Sequence, residues 1–168
     1  MKEKILSNVR IIDPSQNMDE IGNIIINDKG KIESLGKNAK NSGTLKTAEK
    51  IDLKGNIAIP GIVDMKAFVG EPGFEYKENF RTLSKAALAG GVTSVVTMPN
   101  TSPIVDNVSI VDFIKRRGRD KSKINIFPCA SLTKNIEGTN MIEFGLLQKK
   151  GIIAFTDGIK TIQNPRLM

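Results

Sequence analysis

The sequence predicts an α/β protein in which a block of short strands precedes a regular alternation of strands and helices. Short apolar runs rich in Ile, Leu and Val follow one another through the first part of the chain, with turn signals between them. Further on, β-branched runs alternate with segments whose apolar residues recur at helical spacing. That alternation is typical of parallel strands joined by right-handed crossovers. We therefore divide the chain into residues 1–59 and 60–168.

The first block contains an N-terminal strand, a hairpin and an interrupted last strand. The N-terminal run stops at Asp13 and Pro14, which are turn residues. Two later runs flank a short turn containing Gly30, the pattern of a hairpin. The last run is broken at residues 54–56. The block is predicted to have strands over 4–12, 21–27, 31–35 and 50–59, and a loop over 37–48.

The second block predicts strands buried on both faces, each followed by a helix. Gly90 is placed to end the first helix, and Gly151 to end the third. Asn140 and Glu143 have the spacing of a reciprocal N-terminal cap. Residues 163–168 are predicted to be a loop that enters another helix. The predicted order is strand 61–69, helix 76–89, strand 92–98, helix 108–118, strand 124–130, helix 140–150 and strand 152–156.

The stretch 60–73, PGIVDMKAFVGEPG, carries the most specific pattern in the chain. It resembles the D-M-H-x-H-x-R-E-P-G pattern on the first barrel strand of the cyclic amidohydrolases, among which dihydroorotase is the nearest member. The resemblance continues from about Ile5 to Met168 and is most specific at 71–78 and 99–101. It implies a small β-sandwich portion over 1–59, then the N-terminal part, about four β/α units, of a metal-dependent-hydrolase (β/α)₈ barrel.

The metal-binding positions of that pattern are altered. Residues i and i+2 of a strand share a face, so the two family histidines can bind one zinc ion. Lys66 and Phe68 stand at these positions here, and neither side chain can ligate zinc. Gly70 stands where the family has a substrate-binding arginine. The resemblance therefore implies a lost metal site, with no zinc cofactor and no catalytic residue.

Two later loops keep parts of the family pattern. Asn100, in Met-Pro-Asn-Thr, is similar to the asparagine that helps hold the substrate carboxylate, although a turn between prolines would explain it equally well. The stretch 132–138 is similar to the family's T-K-x-x-x-G and also suits a plain surface loop.

Asp157 is the only carboxylate kept from the family's F-S-D-D-G, with Gly158 and Lys160 replacing an aspartate and an arginine. Asp157 could equally cap the backbone of its own loop. If the barrel mouth encloses Lys66, its ammonium is expected to pair with Asp157 in place of the metal, whereas an open half-barrel would leave Lys66 in water.

Composition restricts the function classes. The chain is 39% hydrophobic and 26% charged, with a formal net charge of +7. The lysines are spread along the chain without interleaved aromatics, so we expect no nucleic-acid partner. The single cysteine, Cys129, and the absence of histidine indicate a buried thiol in a reducing compartment. The densest basic run is interpreted as a solvated helix end and contains Lys115, Arg116, Arg117, Arg119, Lys121 and Lys123.

No run is long enough for a signal peptide or a membrane span, so we expect a cytoplasmic protein without a membrane partner. At 168 residues the chain is shorter than a complete barrel of about 250 residues. Three hypotheses remain open. It is an active dihydroorotase hydrolysing a cyclic amide, a non-catalytic homologue that is a structural partner of aspartate transcarbamoylase, or a truncated fragment that lacks the other barrel half.

Overall fold

The computed structural model describes residues 2–39 and 48–167. The chain divides into two compact units, Met1–Pro60 and Gly61–Met168. Most of the loop predicted over 37–48 lies outside the described residues. None of the described helices is long and apolar enough to cross a membrane.

The first unit is one mixed sheet with the strand order β3-β2-β1-β4, and β5 also pairs with β1. The β1–β2 and β2–β3 pairs are antiparallel, whereas β4 and β5 run parallel to β1. Val9, Ile11 and Ile24 are the buried centre of its core. The strands are β1 (Lys4–Asp13), β2 (Met18–Ile26), β3 (Ile32–Gly36), β4 (Glu49–Asp52) and β5 (Ile57–Ala58).

Local turn chemistry sets these bounds. The hairpin between β2 and β3 is confirmed, and the Asn27 side chain accepts hydrogen bonds from the Lys29 and Lys31 amides across its turn. The predicted break after β4 is also confirmed, since Gly55 has a φ of +82° there. β2 starts earlier than predicted because Asp13 caps a short 3₁₀ turn, Pro14–Gln16, that returns the chain directly.

The second unit is a parallel three-stranded sheet, β6-β7-β8, with connecting helices. β7 is a run of β-branched residues, which favour a buried strand. The elements are β6 (Ile62–Ala67), α1 (Phe80–Ala89), β7 (Val92–Thr97), α2 (Val108–Lys121), β8 (Asn125–Pro128) and α3 (Phe144–Lys149). The main core contains Val69, Phe80, Val105, Val111, Ile114, Ala130, Ile142, Leu147 and Ile152.

Two helices begin later than predicted. Asn79 is the N-cap of α1 and forms a capping box with Thr82, so the residues from Tyr76 to Asn79 remain outside the helix. The cap predicted from Asn140 and Glu143 is wrong, because Glu143 is itself the N-cap of α3 and its side chain makes no capping hydrogen bond.

Helix α2 extends past Gly118, where it was predicted to end. Gly118 is buried, and a Cβ atom on it would come within 3.0 Å of the Ile126 Cβ on β8. The glycine therefore allows α2 to pack closely on β8 instead of ending the helix. The helix ends at Ser122, whose amide donates to the Gly118 carbonyl.

The fourth strand, predicted over 152–156, does not form as an extended strand. It meets the chain just after β8 at one parallel bridge, where the Ala130 amide donates to the Ala154 carbonyl and the Thr156 amide donates to the Ala130 carbonyl. Backbone amides alternate in direction along a strand. The Cys129 amide points to β7 and the Ala130 amide to the segment 152–156, so the backbone nitrogen of residue 128 also points to that segment. Residue 128 is proline and has no N–H to donate, so the ladder is interrupted.

Candidate functional site

Lys66 and Phe68 lie at the carboxyl end of β6, at the edge where the loops of parallel β/α proteins carry their chemistry. Both are exposed, Phe68 to 43%. The pairing register of β6 on β7 shifts between Asp64 and Ala67. Within this irregularity an Asp64 carboxylate oxygen accepts from the Lys66 amide at 2.9 Å. Asp64, which the sequence keeps from the family pattern, therefore fixes the backbone that carries Lys66.

Gly70 lies in a turn that leaves no space for a side chain. The Phe74 amide donates to the Gly70 carbonyl and closes the turn. A Cβ atom on Gly70 would overlap the Phe74 carbonyl oxygen and lie 2.8 Å from the Glu78 carbonyl oxygen. Real Cβ atoms essentially never approach backbone so closely. The position of the family's arginine is therefore closed by main chain in this conformation.

Glu71 is a buried anchor of the same loop, with 1% of its surface exposed. One carboxylate oxygen accepts from the Phe80 amide at 3.0 Å, at the first turn of α1. The other accepts from Arg117 Nε on α2 at 2.6 Å. The interpretation of the whole basic run as a solvated face is thus wrong at Arg117, which ties α2 to the loop after β6.

Glu75 lies on the surface of this loop. The Gly73 amide, which donates to the Glu75 carboxylate at 3.0 Å, holds the pKa of Glu75 below its usual range. The Glu75 amide and the charge of Arg117 lower this pKa further. The carboxylate therefore keeps its charge and helps hold the turn around Gly73.

Asn100 lies in the loop after β7, half-buried. Its carboxamide makes no hydrogen bond to the described residues. The turn around it is held without it, since Thr101 Oγ1 donates to the Pro103 carbonyl at 2.7 Å. The Ser102 amide donates to Pro72 at 3.0 Å and ties this loop to the loop after β6.

Asp157 is 2% exposed, and both its oxygens are occupied. Oδ1 accepts from the Leu132 amide at 2.7 Å and the Thr133 amide at 3.0 Å, and Oδ2 accepts from Thr133 Oγ1 at 2.6 Å. Thr133 Oγ1 also accepts from the Gly138 amide at 2.9 Å. Asp157 therefore has a structural role, but it holds the preceding loop and not its own.

The pair between Lys66 and Asp157, expected if the barrel mouth encloses Lys66, does not form. Lys66 is exposed and forms no ion pair with any residue in the described ranges, while Asp157 is engaged by Leu132 and Thr133. The open end of β6 leaves the ammonium in water, so no buried partner is required.

The residues present do not fit the zinc ion that the family pattern implies. Lys66 offers no lone pair as an ammonium, and Phe68 has none. The carboxylate of Asp157 accepts three hydrogen bonds from the protein. Across residues 2–39 and 48–167, no group of three or more histidine, cysteine or acidic side chains could hold a metal ion.

The hydrogen bonds that join the loops have no signature in the local sequence. The Asp106 carboxylate accepts from the Asn135 amide at 3.2 Å, so the second and third loops are also joined. Two features shared with the family pattern could still have indicated these hydrogen bonds: the retained Glu71 and the spacing from Thr133 to Gly138. Neither supplies a metal ligand in that pattern. Cys129 is buried, and desolvation raises its thiol pKa, which disfavours a nucleophilic role.

Comparison with known proteins identifies relatives of this chain. Residues 55–168 match the family model described as dihydro-orotase-like. The dihydroorotase of Syntrophus aciditrophicus (strain SB) is 39% identical over 165 residues, covering 98% of this chain and 38% of the relative. That of Geobacter metallireducens is 40% identical over 160 residues, covering 95% and 37%. The chain therefore spans under two fifths of the length of these curated relatives.

Solved structures share the fold. L-hydantoinase (dihydropyrimidinase) from Arthrobacter aurescens superposes with a TM-score of 0.73 at 20% identity, covering 92% of this chain and 32% of that structure. A dihydroorotase crystal structure superposes with a TM-score of 0.51 at 16% identity, covering 80% and 32%. These similarities confirm the predicted α/β fold class, although the fourth of the four predicted barrel strands forms only a single bridge.

Proposed function

The chain belongs to the dihydroorotase-like family, and we propose that it is a catalytically inactive member, a structural partner of aspartate transcarbamoylase in cytoplasmic de novo pyrimidine biosynthesis. The observation that carries the proposal is the donor set at the carboxyl ends of the strands. Lys66 and Phe68 occupy the metal positions, and Asp157 is engaged by the neighbouring loop.

Inactivity is supported by the chemistry of the missing groups. Hydrolysis of a cyclic amide in this family would use a metal to activate water. A lysine ammonium can attract an anion, but it neither ligates a metal nor accepts a proton while charged. Gly70 also lacks the side chain of the family's substrate-binding arginine, and its closed turn leaves no space for one. Asn100 is the one substrate-binding position retained, and a single amide offers weak recognition.

A structural role is supported by apolar side chains that are exposed to solvent on this chain. On β6, which pairs only with β7 in the described part of the chain, Val63 is 57% and Met65 76% exposed. Ile57 and Ile59 in the first unit are each 59% exposed. Open strand edges with exposed apolar residues favour association. The remaining barrel half or a partner subunit would cover such a surface.

Two alternatives lead to different observations. An active dihydroorotase would contain zinc and hydrolyse dihydroorotate to carbamoyl aspartate. A truncated fragment without a role would neither turn over substrate nor bind a transcarbamoylase, and it would aggregate through its open edge. If this chain is an inactive structural partner, it would lack metal and activity but form a complex of fixed stoichiometry with aspartate transcarbamoylase.

The test combines metal analysis with sedimentation. Purified chain, dialysed against buffer, is expected to contain no stoichiometric zinc and to leave dihydroorotate unchanged. Mixed with purified aspartate transcarbamoylase from the same organism, it is expected to sediment as a defined complex. Met65→Asp, on the open strand, should weaken the complex, whereas Lys85→Asp on α1 serves as an exposed control. About one zinc per chain with turnover, or no complex at tens of micromolar, would overturn the proposal.

A further inference from the structure

Helices α2 and α3 carry a concentration of positive charge near their carboxyl ends. The carboxylates in the same segments, 108–123 and 144–150, are only Asp112 and Asp120. We call the exposed cations of these segments the basic patch, and they are Lys115, Arg116, Arg119, Lys121, Lys123, Lys149 and Lys150.

The patch is continuous across the two helices. Lys115 Nζ donates to the Lys150 carbonyl at 2.6 Å, and Lys150 Nζ pairs with Asp112 at 3.0 Å. Beside these contacts a groove of about 390 Å³ runs along β8, with Lys115 and the further cations Arg119 and Lys123 among its lining residues. The adjoining lining is apolar, from Ile126 and Phe127. Positive and apolar surface therefore lie side by side.

Helix stability does not explain this much charge. The helix dipole favours cations in the last turn, which accounts for Arg119 and Lys121 but not for Lys115 or Arg116. Lys115 and Arg119 are four residues apart on α2, where like charges repel and weaken the helix. Arg119 pairs with Asp120 and Lys150 with Asp112, whereas in the described part of the chain Arg116, Lys121, Lys123 and Lys149 form no ion pair. The patch therefore keeps a net positive field.

We propose that the basic patch is a docking surface for an acidic surface of a protein partner. Charge complementarity steers such encounters and selects the partner. The inference goes beyond the proposed function, because the patch lies on α2, α3 and the residues that follow them, and not on the strand or loop that carries Lys66 or Asp157. It holds for an active or an inactive protein.

Other polyanions fit the patch less well. Single-stranded nucleic acid that is bound without sequence preference stacks its bases on aromatic side chains, and Phe127 is the only aromatic residue among those that line the groove. A membrane-surface helix needs an apolar face to insert. The apolar residues Val111 and Ile114 of α2 are buried in the core.

The test compares two triple charge reversals of equal net charge. Fluorescently labelled poly-L-glutamate is the probe, and its anisotropy is titrated with the full chain at about 0.05 and 0.15 M salt. Arg116→Glu, Lys121→Glu and Lys123→Glu together should weaken binding about tenfold. The control reverses the exposed Lys54, Lys85 and Lys134, which lie elsewhere, and should weaken it less than about twofold.

Equal weakening by both variants would mean that only net charge matters, and it would overturn the proposal. A DNA duplex of about 20 base pairs, or vesicles containing phosphatidylserine, could instead bind more tightly than poly-L-glutamate and depend on the patch. That result would overturn the inference that the partner is a protein. Circular dichroism checks folding. If the charge reversal unfolds the chain, the glutamine variants at the same three positions give the decisive comparison. Unchanged binding by these variants would refute the docking role of the basic patch.

Discussion

Asp157→Ala removes the carboxylate that holds the loop 131–138, and we expect it to destabilise the second unit by about 3–5 kcal/mol. The substitution leaves three donors without their acceptor: the Leu132 amide, the Thr133 amide and Thr133 Oγ1. A buried group without a partner costs about 1–3 kcal/mol. The total stays below the full sum because Leu132 is only half-buried and water can reach part of the gap.

Asp157→Asn should cost less, about 1–2 kcal/mol. Its amide oxygen can still accept from the Leu132 and Thr133 amides. The new NH₂ group faces Thr133 Oγ1, which already accepts from the Gly138 amide. The threonine hydroxyl therefore loses its acceptor, and the remaining bonds lose their charge assistance.

Urea unfolding followed at 222 nm measures both effects, because all three described α-helices lie in the second unit. Glu137→Gln, an exposed change on the same loop, is the control and should stay within about 0.5 kcal/mol of the wild type. If Asp157→Ala also stays within that range, the three hydrogen bonds do not hold the loop, and the structural reading of Asp157 fails.

Three further predictions concern close packing and burial in the second unit. Gly70→Ala should lower the free energy of unfolding in urea by about 2 kcal/mol or more. Gly145→Ala, which has open space around it in α3, should be neutral or stabilising by up to about 1 kcal/mol. Equal effects of the two substitutions would contradict the closed turn. A double-mutant cycle of Glu71→Gln with Arg117→Gln should give a coupling above about 1 kcal/mol, and additivity would mean that the pair does not interact. Burial raises the Cys129 pKa, so its thiol should react with a disulfide reagent at pH 8 far more slowly than in urea; equal rates would refute its burial.

Local sequence patterns predicted the parts of the fold that depend on neighbouring residues. The hairpin around Asn27, the β-branched run of β7 and the end of α3 before Gly151 follow from turn chemistry and periodicity. The start of α1 was misplaced because the apolar spacing continues upstream of its cap at Asn79. Periodicity extends across a helix boundary, whereas the cap determines where the helix begins.

Long-range contacts explain the remaining errors. No local pattern shows that Glu71 meets Arg117, since the two residues are far apart in sequence and one belongs to a run that suggests a solvated helix end. Asp157 and Thr133 are similarly separated by 24 residues. The fourth strand failed for a geometric reason, because the direction of the Pro128 nitrogen becomes known only once the register of β8 on β7 is known.

The departures from the family pattern after β6 involve the backbone as well as the side chains. At the end of β6 the histidine positions hold Lys66 and Phe68, and beyond them the turn at Gly70 closes over the arginine position. The same turn is kept in place by Glu71, which is bonded to α1 and α2. Restoring histidines at the two strand positions would therefore leave the substrate position blocked and the carboxylate of Asp157 occupied. Glu71 and Asp157 hold these loops through hydrogen bonds to protein groups alone, so their structural role does not depend on a bound metal.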